Sequence, residues 1–381
     1  MDIGFIEDTP LRGGTQIWVT EATQYFINKG ENVIVLTPEG SWISKICKQA
    51  GADVHTYDYY KVVKKDTESK NIWTETLKMC DVAICTVHPP RQGFHCSVFA
   101  GTCIKDAGLE TILIPKSGTI VPDYLREFYV PHENIPLKVI AITKFTRDYM
   151  LDTYKISAET AKLIYQGTDV QLFTSNTEKK REAFRRYVLP ESAFPVIGCI
   201  GTYEERKGHT ILLKSMKDLV NGGLPNAQLV LVGEGPDESM LKEKVMEFGL
   251  SDNVTFFEFT RKPVFIFERI DILVLSSLYK EGLPNVLLEA MSMATPVVSS
   301  RLAGVSEIVK NGETGFMVEP GNKDELTEAI KKLCSDNTVL KQMGENGRRM
   351  MKEKFDKQVQ FEKFLQYFYK ITGKQVQLFS E

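Results

Sequence analysis

Two carboxylates, Glu281 and Glu289, flank a short segment holding Gly282, Pro284 and the apolar run Val286, Leu287 and Leu288. Gly-Leu-Pro followed by Asn reads as a helix start, because a proline in the first turn gives up only an N–H that has no partner there. A helix over about 284–293 would turn its free N–H groups and positive dipole end towards an anion such as a phosphate. Glu281 would stand just before that end and Glu289 about two turns inside it, so both would border the same pocket. The spacing fits equally an ordinary exposed helix with two solvated glutamates. Upstream, Arg206 and Lys207 lie in the segment 201–208, directly after an apolar run. An arginine can grip phosphate oxygens bidentately and a lysine acts as a point charge; taken alone, the two are as well explained as surface cations. A further glycine loop, Gly233-Glu234-Gly235-Pro236, follows the next apolar run. Strand-end loops of one sheet, together with the glutamate-bearing helix, would line a crevice suited to a diphosphate, a ribose and a sugar.

Those loops need strands to carry them. Apolar runs predict strands at 2–6, 33–36, 53–57, 81–87, 111–114, 138–142 and 162–165, and again at 196–201, 228–232, 254–257, 271–275, 296–299 and 314–318. Helical patterns alternate with them, which argues for parallel sheets covered on both faces. The fold class is therefore α/β, with two similar Rossmann-like sheets in tandem and a ligand crevice expected between them. Residues 1–190 form the first domain with its linker, 191–354 the second, and 355–381 an aromatic-rich helix expected to pack back towards the first domain. Near the N-terminus, Gly13 and Gly14 follow the first strand, where glycine would let a ligand come close to the backbone; a plain tight turn explains them as well.

Composition narrows the function classes. The 381 residues are 43% hydrophobic and 25% charged with a net charge of −3, typical of a globular protein. Neither half carries an excess of basic residues, which argues against nucleic acid as the main partner. The seven cysteines (47, 80, 85, 96, 103, 199 and 334) include no CxxC pair, so neither a disulfide framework nor a zinc site is expected. The start, MDIGFIEDTP, lacks a basic n-region and apolar core, and no run approaches a membrane span. A soluble, cytoplasmic protein is expected. Lys61, Lys64, Lys65 and Lys70 form a polar stretch that could meet anionic lipid headgroups, giving peripheral contact with the inner face of a membrane, or an anionic acceptor. A solvated face is the commoner meaning of such a run.

With these residues in view, the chain resembles glycosyltransferase family 4, the retaining nucleotide-sugar enzymes of the GT-B fold. The matching segments are GTYEERKGH (201–209), LVLVGEGPD (229–237), EGLPNVLLEAMSMATPVVSS (281–300) and GVSEIVKNGETGFMVEPGN (304–322). RGG (12–14), AITKFTRD (141–148) and IYQGTDVQLF (164–173) match more loosely. The resemblance spans nearly the whole chain, and two glutamates separated by seven residues are its most specific element.

The resemblance implies transfer of a sugar from a nucleotide diphosphate, with retention of configuration and without an essential metal or other cofactor. It implies that Lys207 and Arg206 hold the diphosphate and that Glu281 contacts donor-sugar hydroxyls. The backbone of Leu283, Pro284 and Asn285 would face phosphate or sugar, and Glu289 would bond the ribose. Glu258, Phe259 and Thr260 would meet the base, next to the Gly233 loop, while Gly13 and Gly14 would let the diphosphate approach the first domain. A UDP-sugar is the favoured donor; the acceptor would be a sugar, a lipid-linked molecule or a small molecule. Acceptor recognition is expected around 12–18, 88–94 and 116–123.

Two positions depart from the pattern. Thr202 stands where relatives often carry an arginine, and Lys116-Ser117-Gly118 stands where a His-Gly often contacts the sugar. His88, Lys116 and Ser117 are thus candidates for acceptor or sugar contacts, His88 fitting a structural histidine equally well. A nucleotide-sugar-binding subunit without catalysis, or an epimerase of the same fold, is the alternative function.

Overall fold

The computed structural model describes residues 1–375 apart from 11–12, 65, 88–94, 118–122 and 261. The chain divides into two compact units, Met1–Gln166 with Gln358–Glu381, and Gly167–Lys357. Residues 167–190 thus group with the second unit, and the last helix with the first.

In the first unit seven strands form one parallel sheet: β1 (Asp2–Ile6), β2 (Asn32–Pro38), β3 (Asp53–Tyr57), β4 (Val82–Thr86), β5 (Ile112–Ser117), β6 (Val139–Ala141) and β7 (Ala161–Leu163). Their spatial order is β3-β2-β1-β4-β5-β6-β7. Successive side chains of a strand point to opposite faces. Phe5 of β1 accordingly enters a core with Trp18, Phe26, Phe361, Phe364 and Phe368, while the next residue, Ile6, enters another with Leu36, Tyr57, Trp73 and Leu77.

The stretch that carries Lys61 and Lys70 is not an irregular polar segment. It forms the helices Tyr59–Val63 and Thr67–Lys78. Asp58 caps the first through Tyr60 and Lys61, and Asp66 caps the second by accepting from the Ser69 N–H at 3.0 Å. These carboxylates satisfy N–H groups that a helix start leaves open. Val62, Trp73 and Leu77 are then buried. Lys61 pairs with Glu68 and Lys70 with Asp106, so two of the four lysines already face carboxylates; Lys65 lies outside the described residues.

The helix Lys357–Thr372 lays a continuous aromatic face on the first sheet. Phe361, Phe364, Leu365 and Phe368 recur at helical spacing and are buried. Ring centroids of Trp18 and Phe364 are 5.1 Å apart, and those of Phe26 and Phe368 5.9 Å. The chain reaches this helix through a turn at Met351–Phe355 that follows the helix Asn337–Met350. Thr168 holds the crossing point from the second unit's side: its N–H donates to Phe355 O and its carbonyl accepts from the Lys357 N–H, both at 2.8 Å.

The second unit repeats the plan with β8 (Val196–Ile200), β9 (Gln228–Val232), β10 (Val254–Phe257), β11 (Ile272–Leu275), β12 (Val297–Ser300) and β13 (Gly315–Val318). The order β10-β9-β8-β11-β12-β13 places β8 between its sequence neighbour β9 and the distant β11. The direction in which successive strands are added across this parallel sheet reverses at that pair, which makes the loops after β8 and β11 the natural walls of a ligand crevice. No described helix is long and apolar enough to cross a membrane.

Because Phe364 is wholly buried and touches the rings of both Trp18 and Phe368, Phe364→Ala is expected to destabilise the first unit by about 3–5 kcal/mol. Denaturant unfolding followed by tryptophan fluorescence measures it, and a loss below about 1 kcal/mol would contradict the packing role.

Candidate functional site

The loops after β8, β9 and β11 interlock before any charge is considered. Glu205–Lys207 makes one tight turn that ends at Gly208, whose φ of +66 is left-handed. A Cβ there would stand 2.1 Å from Ser276 O, and one at Gly233 would stand 1.9 Å from Gly201 O. Only glycine allows these carbonyls to come so close. The approach is fastened by the Leu278 N–H donating to Arg206 O at 2.8 Å and by Ser276 Oγ donating to Lys207 O at 3.0 Å. The backbone that carries Arg206 and Lys207 is therefore held by the loop that carries Glu281.

The side chains then converge on one atom. Glu281 Oε1 accepts from Lys207 Nζ at 2.7 Å, from Arg206 Nη1 at 3.0 Å and from Ser277 Oγ at 2.6 Å. Arg206 Nη2 donates to Glu204 Oε1 at 2.6 Å, and that same oxygen accepts from Thr202 Oγ1 at 2.9 Å. The Glu281 side chain is 9% exposed, against 16% for Lys207 and 24% for Arg206. Lys280, just before Glu281, has a φ of +56, a conformation that costs a residue with a Cβ roughly 1 kcal/mol; its carbonyl accepts from Arg206 Nη1 at 3.3 Å. His209 opens the helix that follows and packs edge-on against Tyr203. Burial, and after it the Lys207 charge, pulls its imidazole down to about 4, so it is neutral at pH 7.

The helix expected at 284–293 spans Asn285–Ser292. Pro284 sits one position before it as the cap residue rather than in its first turn, with φ −68 and ψ 115 and no side-chain cap. Leu283 and Pro284 are buried and Asn285 is exposed. Glu289 lies one turn inside the helix, not two, and is half-buried. On the β9–β10 side, a hollow of about 580 Å³ is lined by Tyr203, Gly233, Glu238, Lys242, Phe256 and Glu258 among others, with Phe259 at its edge 58% exposed. Thr260 Oγ1 accepts from the Lys262 N–H in the same loop.

In the first unit Gly13 caps the helix Gly14–Asn28 in an extended conformation, and Gly14 is its first residue. Arg12 and His88 lie outside the described residues. Lys116 and Ser117, at the end of β5, are both buried. Lys116 places Nζ 3.7 Å from the centroid of the Trp18 ring. Burial pulls its ammonium down to about 7, and the Glu7 charge works in the other direction. Glu7 is itself buried and accepts from Gln16 Nε2 at 2.9 Å and Thr86 Oγ1 at 2.7 Å. As it stands, Lys116 faces an aromatic ring in the interior rather than an open surface. Asp8, His95 and Cys96 gather within 4.8 Å nearby. Burial, then Cys85 and Asp8, pushes the Cys96 thiol well above its ordinary value.

Ser277 and Glu204 were not among the residues singled out from the sequence, and Thr202 was noted only as a departure from the family pattern, although Ser277 stands only four positions before Glu281. The strained Lys280 carries no residue-type signal at all, since nothing about a lysine announces a positive φ.

Residues 180–350 match the family model of glycosyl transferases group 1. The capsular polysaccharide biosynthesis glycosyltransferase CapM of Staphylococcus aureus is 31% identical over 51% of this chain and 50% of its own length. The lipopolysaccharide core biosynthesis glycosyltransferase LpsE of Rhizobium meliloti is 30% identical over 45% and 49%. The chain spans about half the length of the curated relatives it matches. Among solved structures, Anabaena Alr3699/HepE in complex with UDP superposes with a TM-score of 0.84 at 18% identity, over 97% of this chain and all of that one. A Rickettsia africae glycosyltransferase gives 0.83 at 18%, over 98% and 99%.

The buried lysine yields a measurable pH signature. An unfolded lysine keeps its proton to about pH 10.4, whereas folded Lys116 releases it near 7. Between those values the unfolded chain binds more protons, so the Lys116 contribution to stability rises with pH and is lowest below 7. The stability of the wild type relative to Lys116→Met is expected to rise by up to about 1.4 kcal/mol per pH unit between pH 7 and 10. Parallel urea titrations at pH 6.5, 8 and 9.5 read it; a flat difference would mean that the ammonium stays charged.

Proposed function

We infer that this chain, which through residues 180–350 belongs to the glycosyl transferases of group 1 and has the GT-B fold, moves a sugar from a nucleotide-diphosphate sugar to a hydroxyl acceptor. The observation that carries the reading is the meeting of Lys207, Arg206 and Glu281 at the reversal point of the second sheet. When such a donor reacts, negative charge grows on the departing diphosphate. Two fixed cations and the open N–H groups of Asn285–Ser292 are the donors suited to stabilise it. That division of labour needs no divalent metal, and none is proposed.

Glu281 takes the sugar hydroxyls and Glu289 the ribose. The hollow beside Glu258, Phe259 and Thr260 takes the base. A carboxyl acid and base flanking the scissile bond, as in glycoside hydrolases, is not the plan, because Glu281 is held by cations rather than standing free to exchange a proton. Transfer with retention then follows from acceptor attack on the face the phosphate leaves, a phosphate oxygen taking the acceptor proton. The UDP in the HepE complex supports a uridine donor. The capsule and lipopolysaccharide roles of relatives support a growing polysaccharide or glycolipid as acceptor.

A thermal-shift panel of UDP, GDP, ADP and their sugars, followed by transfer assays, tests the reading. Lys207→Ala is expected to lower kcat/KM by about 10²–10³-fold, the usual loss when one charge-stabilising donor is removed, with the fold intact by circular dichroism. Full activity in that variant would refute the assignment. Transfer is expected to continue in excess EDTA; a strict Mn²⁺ requirement would refute metal independence.

A further inference from the structure

The cation pair is already occupied. Glu281 Oε1 lies 2.7 Å from Lys207 Nζ and 3.0 Å from Arg206 Nη1, with Ser277 Oγ as a third donor at 2.6 Å. An anionic oxygen at these distances from an ammonium and a guanidinium has the coordination that a phosphate oxygen would adopt there. Two oxygens cannot share the position. The other carboxylate oxygen takes part in none of these bonds.

We propose that Glu281 is a place-holder for the donor diphosphate: in the empty site its carboxylate stands in for a phosphate oxygen between Lys207 and Arg206, and it swings to the sugar when the diphosphate arrives. Ser277 is the positioning residue that favours the latched arrangement, because its hydroxyl bonds the very oxygen that the cations hold. This rests on the nucleotide-sugar reading above and adds to it that Glu281 competes with the ligand before it serves it. The latch keeps two cations and one carboxylate satisfied in a partly buried site, where leaving either sign unpaired would be costly. It also favours donors that bring a sugar. A bare nucleoside diphosphate displaces the carboxylate and offers it nothing, whereas a nucleotide sugar offers it hydroxyls.

Isothermal titration of the full chain with UDP, GDP, ADP, inorganic pyrophosphate and the free nucleosides tests this in the wild type, Glu281→Gln and Ser277→Ala. Removing a negative charge would tighten any anion at a nearby site, so Glu281→Gln alone proves little. Ser277→Ala changes no charge and weakens only the latched arrangement. For the diphosphate that the wild type binds, a gain of at least about threefold in Ser277→Ala and a larger one in Glu281→Gln is expected, the loss of one hydrogen bond to a charged group being worth at least that much. Nucleoside affinity is expected to stay unchanged. Equal or weaker diphosphate binding by Ser277→Ala, with its melting temperature kept, would overturn the proposal. If no nucleoside diphosphate binds any variant, the nucleotide-sugar reading fails. The inorganic pyrophosphate series then decides the latch by the same comparison, an absence of tightening, or of any pyrophosphate binding, overturning it.

Discussion

Everything at the charged site depends on carbonyl oxygens standing where side chains would otherwise be. Gly201 O fills the space beside Gly233, and Ser276 O fills the space beside Gly208. These contacts lock the ends of β8, β9 and β11 into one surface. Hydrogen bonds from Leu278 and Ser276 to the carbonyls of Arg206 and Lys207 fix where that surface carries its cations. The side-chain chemistry is thus laid on a backbone that has little freedom to rearrange. A lysine and an arginine, each with long flexible stems, meet a single oxygen only because their Cα positions are so constrained. The reversal of strand order between β8 and β11 brings residues some seventy positions apart into that contact.

Sheet architecture was readable from apolar runs alone, because strands buried on both faces leave a nearly continuous signature. All thirteen expected strands exist, with boundaries shifted by up to three residues. The helix Thr67–Lys78 was hidden for the opposite reason: its buried side is thin. Trp73 and Leu77 are its only buried apolar residues, and the polar Ser69 and Thr76 complete it. Charge pattern suggested a polar stretch there, whereas the Asp66 cap and the pairing of Lys70 with Asp106 turn those charges to structural use. At the site, the residue types were legible and their couplings were not. Glycine loops and acidic spacing marked Lys207, Arg206 and Glu281. Nothing in residue type shows that Lys280 takes a left-handed φ, or that Ser277 aims at the carboxylate, because both follow from loop geometry.

The first unit holds its charges differently. Lys116, Glu7 and Asp8 are buried among threonines and serines at the carboxyl ends of β1, β4 and β5. A buried lysine survives there on a ring face and a carboxylate within electrostatic reach, both favouring the charged form against desolvation. Trp18 does two jobs, since it also belongs to the aromatic cluster that seats the last helix. Polar interior and aromatic anchor are therefore one packing problem. From the sequence, Lys116 could only be judged by its place at a strand end, which is where ligand contacts usually lie; its burial depends on Trp18, nearly one hundred residues earlier.

The charges of the second unit's site also bear on how an anion could be drawn to it. Glu204 and Glu281 balance Arg206 and Lys207, so this group of four is neutral, on a chain whose overall charge is −3. Long-range attraction for a diphosphate is accordingly weak, since steering needs a field of one sign extending beyond the screening length. Recognition has to be won at contact range, where donor geometry and helix N–H groups act and where the position of a single carboxylate changes the local sign. A site built this way responds less to ionic strength than to whether Glu281 has another partner to turn to. In the place-holder reading, the constraint that fixes the cations leaves one movable charge, and selectivity at the site turns on that charge.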